Sequence, residues 1–401
     1  MKQCILLICC FILVNNLNSQ SYAEGCDGKR YASAVFPQYT VSSSVYARPT
    51  PENFDLWMDI YEPNGDQVSK RPLILFVHGG GFFSGSRADM QPFCVEYVKK
   101  GFVTASIDYR LFLGIPDEAG FIKAVIKAIS DFKASYRFFK EDAVGANKYK
   151  IDTTKMFIGG YSAGAITVLH AAYLDQNDRL SPAVWAEIQS QGGLKGNTGS
   201  TQNLAHKDSD IFGVFNFAGA VYDKSMFDAG EPMLMSYHGD KDQTVPIDSA
   251  IIFTSTVYGS RTIQNAMNNV GNPNIIEIAP GAGHTEIFTD PTYLPNLYAF
   301  IDKATALYYP RLCGFPAATS RIDQDISNTI SPNPGNNIIQ FVFNTDIDQL
   351  LIYSPSGQIV SSYEVNSNHF TLERFDLKEG IYFAIPMIKG IKYKPLRFAW
   401  Q

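Results

Sequence analysis

Residues 156–172 constrain this chain more than any other stretch. Met156-Phe157-Ile158 is a short apolar run that reads as a buried strand. Gly159-Gly160-Tyr161-Ser162-Ala163-Gly164 follows, and residues 165–172 read as a helix. A serine inside Gly160-x-Ser162-x-Gly164, between a strand and a helix, sits on a sharp turn that lifts its hydroxyl above the sheet edge. The flanking positions are small because the two backbones approach closely there. Ser162 is therefore a candidate nucleophile.

Upstream, residues 72–77 form an unbroken apolar run, as expected of a strand buried on both faces. His78-Gly79-Gly80-Gly81-Phe82 comes directly after it. Three glycines can present bare backbone N–H groups to a developing oxyanion, which acyl transfer requires. Residues 103–107 read as the next strand, leading into Asp108-Tyr109-Arg110, where Asp108 and Arg110 are expected to form a structural ion pair. From Glu118 to Phe139, apolar residues recur at Ile122, Val125, Ile126, Ile129 and Phe132, which is helical spacing. Further strands are expected at 211–217, 233–237 and 275–278, and a helix at 293–309. Such alternation implies a mostly parallel sheet with helices on both faces.

A serine hydroxyl needs a base, and the base needs an orienting carboxylate. Six histidines are available. His78 belongs to the glycine turn, His170 to the helix after the serine, His206 to an insertion, His238 to a strand end and His369 to the tail. His284 alone lies on a Gly-flanked loop after a late strand, completing the order serine, acid, histidine. On the turn after residues 233–237, Asp242 is preferred to Asp240, because Val245-Pro246 pins the turn behind it. The expected oxyanion donors are the N–H groups of Gly80, Gly81 and Ala163. Phe82 and Tyr161, beside them, are expected to contact substrate. No His-Glu-x-x-His or comparable spacing implies a metal, and no cofactor is expected.

The chain has 401 residues, 45% hydrophobic and 18% charged, with a net charge of −6 and no basic run, which argues against a nucleic-acid surface. The aromatic residues, 13% of the total, are read mainly as core. Lys2, the apolar residues 5–14 and Ser21-Tyr22-Ala23 read as an export signal over 1–23, too short to span a bilayer; no later stretch is apolar enough to cross one. Cys26, Cys94 and Cys313 remain after cleavage and allow three single pairings, with Cys94 in a helical pattern as a candidate free thiol. Residues 177–210 read as an insertion, either a partial lid or a surface excursion. From residue 317 the composition becomes polar. A linker over 317–330 is expected to lead into an all-β module of six short strands over 331–401.

The residues 77–82, Asp108-Tyr109-Arg110, Gly160-Tyr161-Ser162-Ala163-Gly164, Asp242 and His284 together resemble α/β-hydrolase carboxylesterases, notably hormone-sensitive-lipase-like enzymes and bacterial feruloyl or acetylxylan esterases. The resemblance spans roughly residues 30–310. It implies an α/β-hydrolase catalytic domain over 24–316 and a serine carboxylic-ester hydrolase working through an acyl-enzyme on polysaccharide esters, short-chain lipids or polyesters. The N-terminal cap helices of hormone-sensitive-lipase-like enzymes are not evident, and 177–210 has no counterpart. In the tail, Ser331-Pro332-Asn333-Pro334, residues 352–360 and Leu377-Lys378-Glu379-Gly380-Ile381-Tyr382 resemble the C-terminal sorting domain of the bacterial type IX secretion system, without its usual basic finish. That implies a β-sandwich, export to the cell surface or beyond, and the secretion machinery as partner; a carbohydrate-binding module is the alternative for the tail. A serine peptidase of the prolyl-oligopeptidase type shares the residue order, but fewer than 80 residues precede the glycine turn, leaving no room for a propeller. An inactive hydrolase-fold binding protein would be expected to lack a triad member, and none is missing.

Overall fold

The computed structural model describes residues 24–27, 29–114, 117–314, 328–354, 359–374, 377–388, 391–393 and 396–401. The expected export signal and nearly all of the expected linker lie outside these residues. Two antiparallel strands, β1 (Tyr39–Ala47) and β2 (Leu56–Pro63), lead into β3 (Arg71–Val77), α1 (Gln91–Val98), β4 (Val103–Ile107), α2 (Glu118–Val144), β5 (Ile151–Tyr161) and α3 (Ala163–Tyr173). The insertion carries α4 (Pro182–Ser190) and α5 (Thr201–Ala205). Then follow β6 (Gly213–Phe217), β7 (Ala220–Val221), β8 (Met233–Gly239), a hairpin of β9 (Ser249–Ile252) and β10 (Ser255–Gly259), α6 (Ser260–Asn269), β11 (Asn274–Ala279), α7 (Glu286–Thr289) and α8 (Leu294–Leu312).

Eight strands form one sheet in the order β1-β2-β4-β3-β5-β6-β8-β11. From β4 to β11 every pairing is parallel. The core follows from strand alternation. Leu73, Leu75 and Val77 of β3 face α2, α3 and α6, whereas Ile74 and Phe76 face α1 and α8. Met156 and Ile158 of β5 divide from Phe157 in the same way. Both faces being covered explains why residues 72–77 and 156–158 are apolar at successive positions rather than at alternate ones. The expected α/β-hydrolase architecture is the one present.

Two ion pairs tie the chain down away from the sheet. Asp108 and Arg110 do not bond to each other, contrary to expectation: Asp108 pairs with Arg87, and Arg110 with Asp131 of α2 at 2.8 Å. Asp131 is fully buried, so its charge needs the pairing. Arg110 also donates to Thr198 in the insertion at 2.8 Å, and buried Arg137 of α2 bonds Asn203, Asp208 and the Lys195 and Thr198 carbonyls. Residues 177–210 are thus fastened to α2. Their helix α4 seats Val184 and Ile188 on Ile126.

The tail forms a separate antiparallel sheet of β12 (Asn328–Ser331), β13 (Ile338–Tyr353), β14 (Ile359–Glu373), β15 (Gly380–Ile388), β16 (Ile391–Lys392) and β17 (Leu396–Trp400). Where short strands were expected, residues 338–353 form one long β13. Its register with β14 shifts between Val342 and Ile347, so its first half pairs β12 and its second half β15. Phe341 of the first half meets Phe398 of β17 edge-to-face at 5.3 Å across the enclosed core, so the sheet folds back over itself.

A disulfide joins Cys26 to Cys313, 287 residues apart, and Cys94 is the buried free thiol. By restricting the unfolded chain it stabilises by about 2–4 kcal/mol. Replacing both Cys26 and Cys313 by Ser is expected to lower the thermal midpoint accordingly, with no change in the folded far-UV spectrum. Glu231, half-buried before β8, has its carboxyl pushed up to about 8 by burial, with Asp228 and Asp178 adding negative charge. Its folded state binds the proton more tightly, so this site's contribution is full below the unfolded value and is lost as pH rises toward 8. After allowance for solvent screening, Glu231→Gln is expected to stabilise by about 1–2 kcal/mol at pH 8 and to change little at pH 4.5, read from thermal melts at the two pH values.

Candidate active site

In a parallel sheet the strands end on one edge, and the loops leaving β3, β5, β8 and β11 meet there. Ser162 lies between β5 and α3 with φ +54° and ψ −119°. That backbone is costly for a residue with a side chain and persists only where its surroundings impose it. Here the Ser162 N–H donates to the Phe217 carbonyl of β6 at 2.9 Å, and its own carbonyl accepts from Ile166 at 2.9 Å, starting the helix. A Cβ on Gly164 would fall 2.1 Å from the Val77 carbonyl oxygen, so only glycine lets α3 come this close to β3.

Behind β11, His284 places Nε2 2.8 Å from Ser162 Oγ and Nδ1 2.6 Å from Asp242 Oδ2. The three predicted side chains, 80 and 42 residues apart along the chain (162 to 242, 242 to 284), form one run of hydrogen bonds. With Nδ1–H turned to the carboxylate, Nε2 is left to accept the serine proton. Ser162 is 7% and Asp242 5% exposed. Asp240, the rejected alternative, instead accepts from the Gly281 N–H at 2.6 Å, and Lys241 N–H donates to the Ala282 carbonyl at 2.9 Å. The acid turn thereby braces the histidine loop from two points.

Asp242 holds more donors than a triad requires. Oδ1 accepts from the N–H groups of Thr244 (2.9 Å) and Val245 (2.8 Å), and Oδ2 also lies 3.2 Å from Nε2 of fully buried His238. Burial alone would raise its pKa. The bonds from His238, His284 and the Val245 amide outweigh burial and hold the carboxyl well below the usual range. His238 is fixed in turn: Nε2 is 2.8 Å from the Val245 carbonyl, and Nδ1 is 2.7 Å from Ser260 Oγ, to which Asn216 donates at 2.9 Å. His238, at the end of β8 and four residues before Asp242, is a site residue whose spacing to the acid is the signal in the sequence.

The glycine turn is built to expose backbone. Gly80 and Gly81 have φ +99° and +62°, and a Cβ on Gly80 would collide with the Ser84 carbonyl at 2.1 Å. The Phe83 and Ser84 N–H groups close the turn onto the Gly80 carbonyl at 3.0 and 3.1 Å. His78 Nδ1 lies 2.7 Å from the Gly79 carbonyl, and Tyr109 stacks on the His78 ring at 4.4 Å. Ala163 opens α3, where an N–H has no intrahelical acceptor.

One expectation needs correction. Phe82 has φ +70°, which turns its ring inward; it is fully buried edge-on to Tyr109 and Phe121 and presents no surface to a substrate. Phe83, 37% exposed, is the outward aromatic. Tyr161 stacks on His284 at 5.2 Å and donates its hydroxyl to the His284 carbonyl at 3.0 Å, so it positions the histidine. Among the described residues no group of three or more His, Cys, Asp or Glu side chains is placed to hold a metal ion, and no helix is long and apolar enough to cross a membrane.

Residues 58–222 match the BD-FAE family model, and residues 329–391 match the secretion system C-terminal sorting domain. Similar solved structures include Thermogutta terrifontis esterase 2 phosphorylated by paraoxon, 22% identical over 72% of this chain and 98% of that one, TM-score 0.50. The same esterase phosphoramylated by tabun is 21% identical, covering 69% and 96%, also at TM-score 0.50. At these identities the likeness is one of fold. Gut esterase 1 of Caenorhabditis briggsae is 34% identical over 102 residues, 25% of this chain and 18% of that protein. A non-reducing polyketide synthase of Acremonium egyptiacum is 25% identical over 151 residues, 37% of this chain and 7% of the synthase. The chain thus spans less than a fifth of the length of these curated relatives. It resembles BD-FAE α/β-hydrolase esterases over residues 58–222 and secretion-system sorting domains over residues 329–391.

Proposed function

We propose that this chain is a secreted serine carboxylic-ester hydrolase. The observation that carries the reading is the unbroken run from Ser162 Oγ through His284 to Asp242, at 2.8 and 2.6 Å. In this mechanism Ser162 Oγ attacks the ester carbonyl carbon as its proton passes to His284 Nε2. The carbonyl oxygen takes the electron pair and is held by the N–H groups of Gly80, Gly81 and Ala163; one such donor is worth about 3 kcal/mol. The C–O bond to the alcohol breaks, and His284 returns the proton to the departing oxygen. Water, deprotonated by His284, then releases the acid from the acyl-enzyme. Asp242 orients the imidazole and balances its positive charge without taking the proton.

The chain is read as an export signal over 1–23, a catalytic domain over 24–316, a linker over 317–330 and a sorting domain over 331–401. The sorting domain engages the type IX machinery, and the catalytic domain works at or beyond the cell surface. The match over 329–391 supports this destination. The enzyme's substrates are drawn from polysaccharide esters, short-chain lipids or polyesters.

Ser162→Ala is expected to lower kcat on p-nitrophenyl butyrate by roughly a million-fold with little change in the melting temperature; ester turnover surviving this change would remove the mechanism. His238→Ala is expected to lower kcat by about 10–100-fold with KM nearly unchanged, because Asp242 loses a donor and the orientation of His284 loosens. His238→Gln, which keeps a donor, should recover part of that loss. Equal effects of both variants on kcat and KM would make His238 merely structural.

A further inference from the structure

An elongated cavity lies beside the site, between α2, α3, α4, β7 and the β9–β10 hairpin. Three of its lining residues touch the candidate machinery. Ile166 bonds the Ser162 carbonyl, Val245 bonds the Asp242 carboxylate, and Phe121 packs edge-on to Phe82 of the glycine turn at 5.5 Å. From that end the cavity follows one face of α3 through His170 to Leu174, a distance of about 12 Å at the helical rise. Val184 and Ile188 of α4 close its far wall. The hairpin covers it and is latched to the start of α2: Glu118 accepts from Thr254 and Ser255 at 2.7–2.9 Å, and Phe253 packs on Phe121 at 5.8 Å.

Almost all of the surface facing this cavity is apolar. Its one histidine presents no free polar atom. His170 Nδ1 lies 2.8 Å from the Ile166 carbonyl, Nε2 accepts from the Tyr222 N–H at 3.1 Å, and burial favours its neutral form. A sugar in this space would lose its water without gaining partners. An alkyl chain would lose nothing of the kind, and dry apolar cavities take such groups.

The direction of the cavity selects which half of the ester enters it. The alcohol must leave beside His284 Nε2. Neither Ser162 nor His284 with its aromatic neighbours Tyr161 and Phe288 lines the cavity, but Ile166, one turn along α3 from Ser162, does. The acyl group, which stays bonded to Ser162 Oγ while the alcohol departs, is therefore the half left on the α3 side. We infer that this cavity seats the acyl chain and that the preferred acid is a medium-length straight-chain acyl group, not acetate or a hydroxycinnamate. Acetate would leave the cavity empty, and the ring hydroxyl of a hydroxycinnamate would be buried against carbon. This inference rests on the serine-esterase reading above.

The test is kcat/KM of the full chain on p-nitrophenyl acetate, butyrate, octanoate and laurate, on methyl ferulate, and on acetates of ethanol and octanol. The expected result is a rise of about threefold per added acyl methylene up to octanoate, with little dependence on alcohol length and poor ferulate turnover. Leu180→Trp and Val257→Trp narrow the cavity from opposite walls at partly exposed positions, so a folding failure in one leaves the other. Either is expected to cost octanoate at least tenfold while leaving acetate within twofold. Acetate or ferulate as best substrate, a profile set by the alcohol, or equal loss on acetate and octanoate in a folded variant would overturn the acyl assignment while Ser162-dependent hydrolysis persisted. No hydrolysis of any ester would overturn both readings.

Discussion

Parallel pairing of β3, β5, β6, β8 and β11 is the constraint on which the site depends. Parallel neighbours must all finish on the same side, so each strand delivers the first residues of its following loop to one edge. Val77 pairs with Gly160, Tyr161 with Phe217, Phe217 with Tyr237, and Ala279 with Gly239. This ladder sets the glycine turn beside Ser162 and the acid turn beside the His284 loop, with β6 between the two pairs. The left-handed backbone of Ser162 is then held by a hydrogen bond to β6, outside its own strand and helix. A strained elbow of this kind survives because the sheet beneath it is rigid and fully buried.

The carboxylate of Asp242 shows how the surroundings of a site are organised one layer deeper. It is buried beneath His284, where an unpaired charge would be costly, and it is met by two histidines and two backbone amides. His238 takes its own orientation from the Val245 carbonyl and from Ser260, which Asn216 ties back to Ser236 of β8. The acid turn is therefore tied back to the sheet through His238. On the other flank, Arg110 and Arg137 bind the insertion to α2 by charged, largely buried bonds. That anchoring makes the insertion a fixed wall of the apolar cavity, with α4 contributing side chains and α2 the floor.

Much of the architecture was legible because local chemistry announces it. An apolar run too short for a helix, followed by small residues and then a helical pattern, has few physical solutions. Asp242 was separable from Asp240 for a similarly local reason, the Val245-Pro246 turn behind it. Phe82 was misread because its direction depends on the sign of one backbone angle, which a glycine-rich turn leaves open. The tail strands were drawn too short for a related reason. Polar residues between apolar segments look like turns, yet a long antiparallel strand can carry them through a register shift and continue.

The chain by itself determined its elements, their alternation and the residue types able to do acyl chemistry, because these follow from periodicity and from the steric demands of a few adjacent residues. Tertiary structure decided the pairings between distant positions: Cys26 with Cys313, Arg110 with Asp131 in place of Asp108, and His238 beneath Asp242. It also decided that an insertion and a hairpin would roof an apolar cavity. Such contacts depend on the order of strands in the sheet and on which helix face meets which loop, and no local stretch of sequence carries that information.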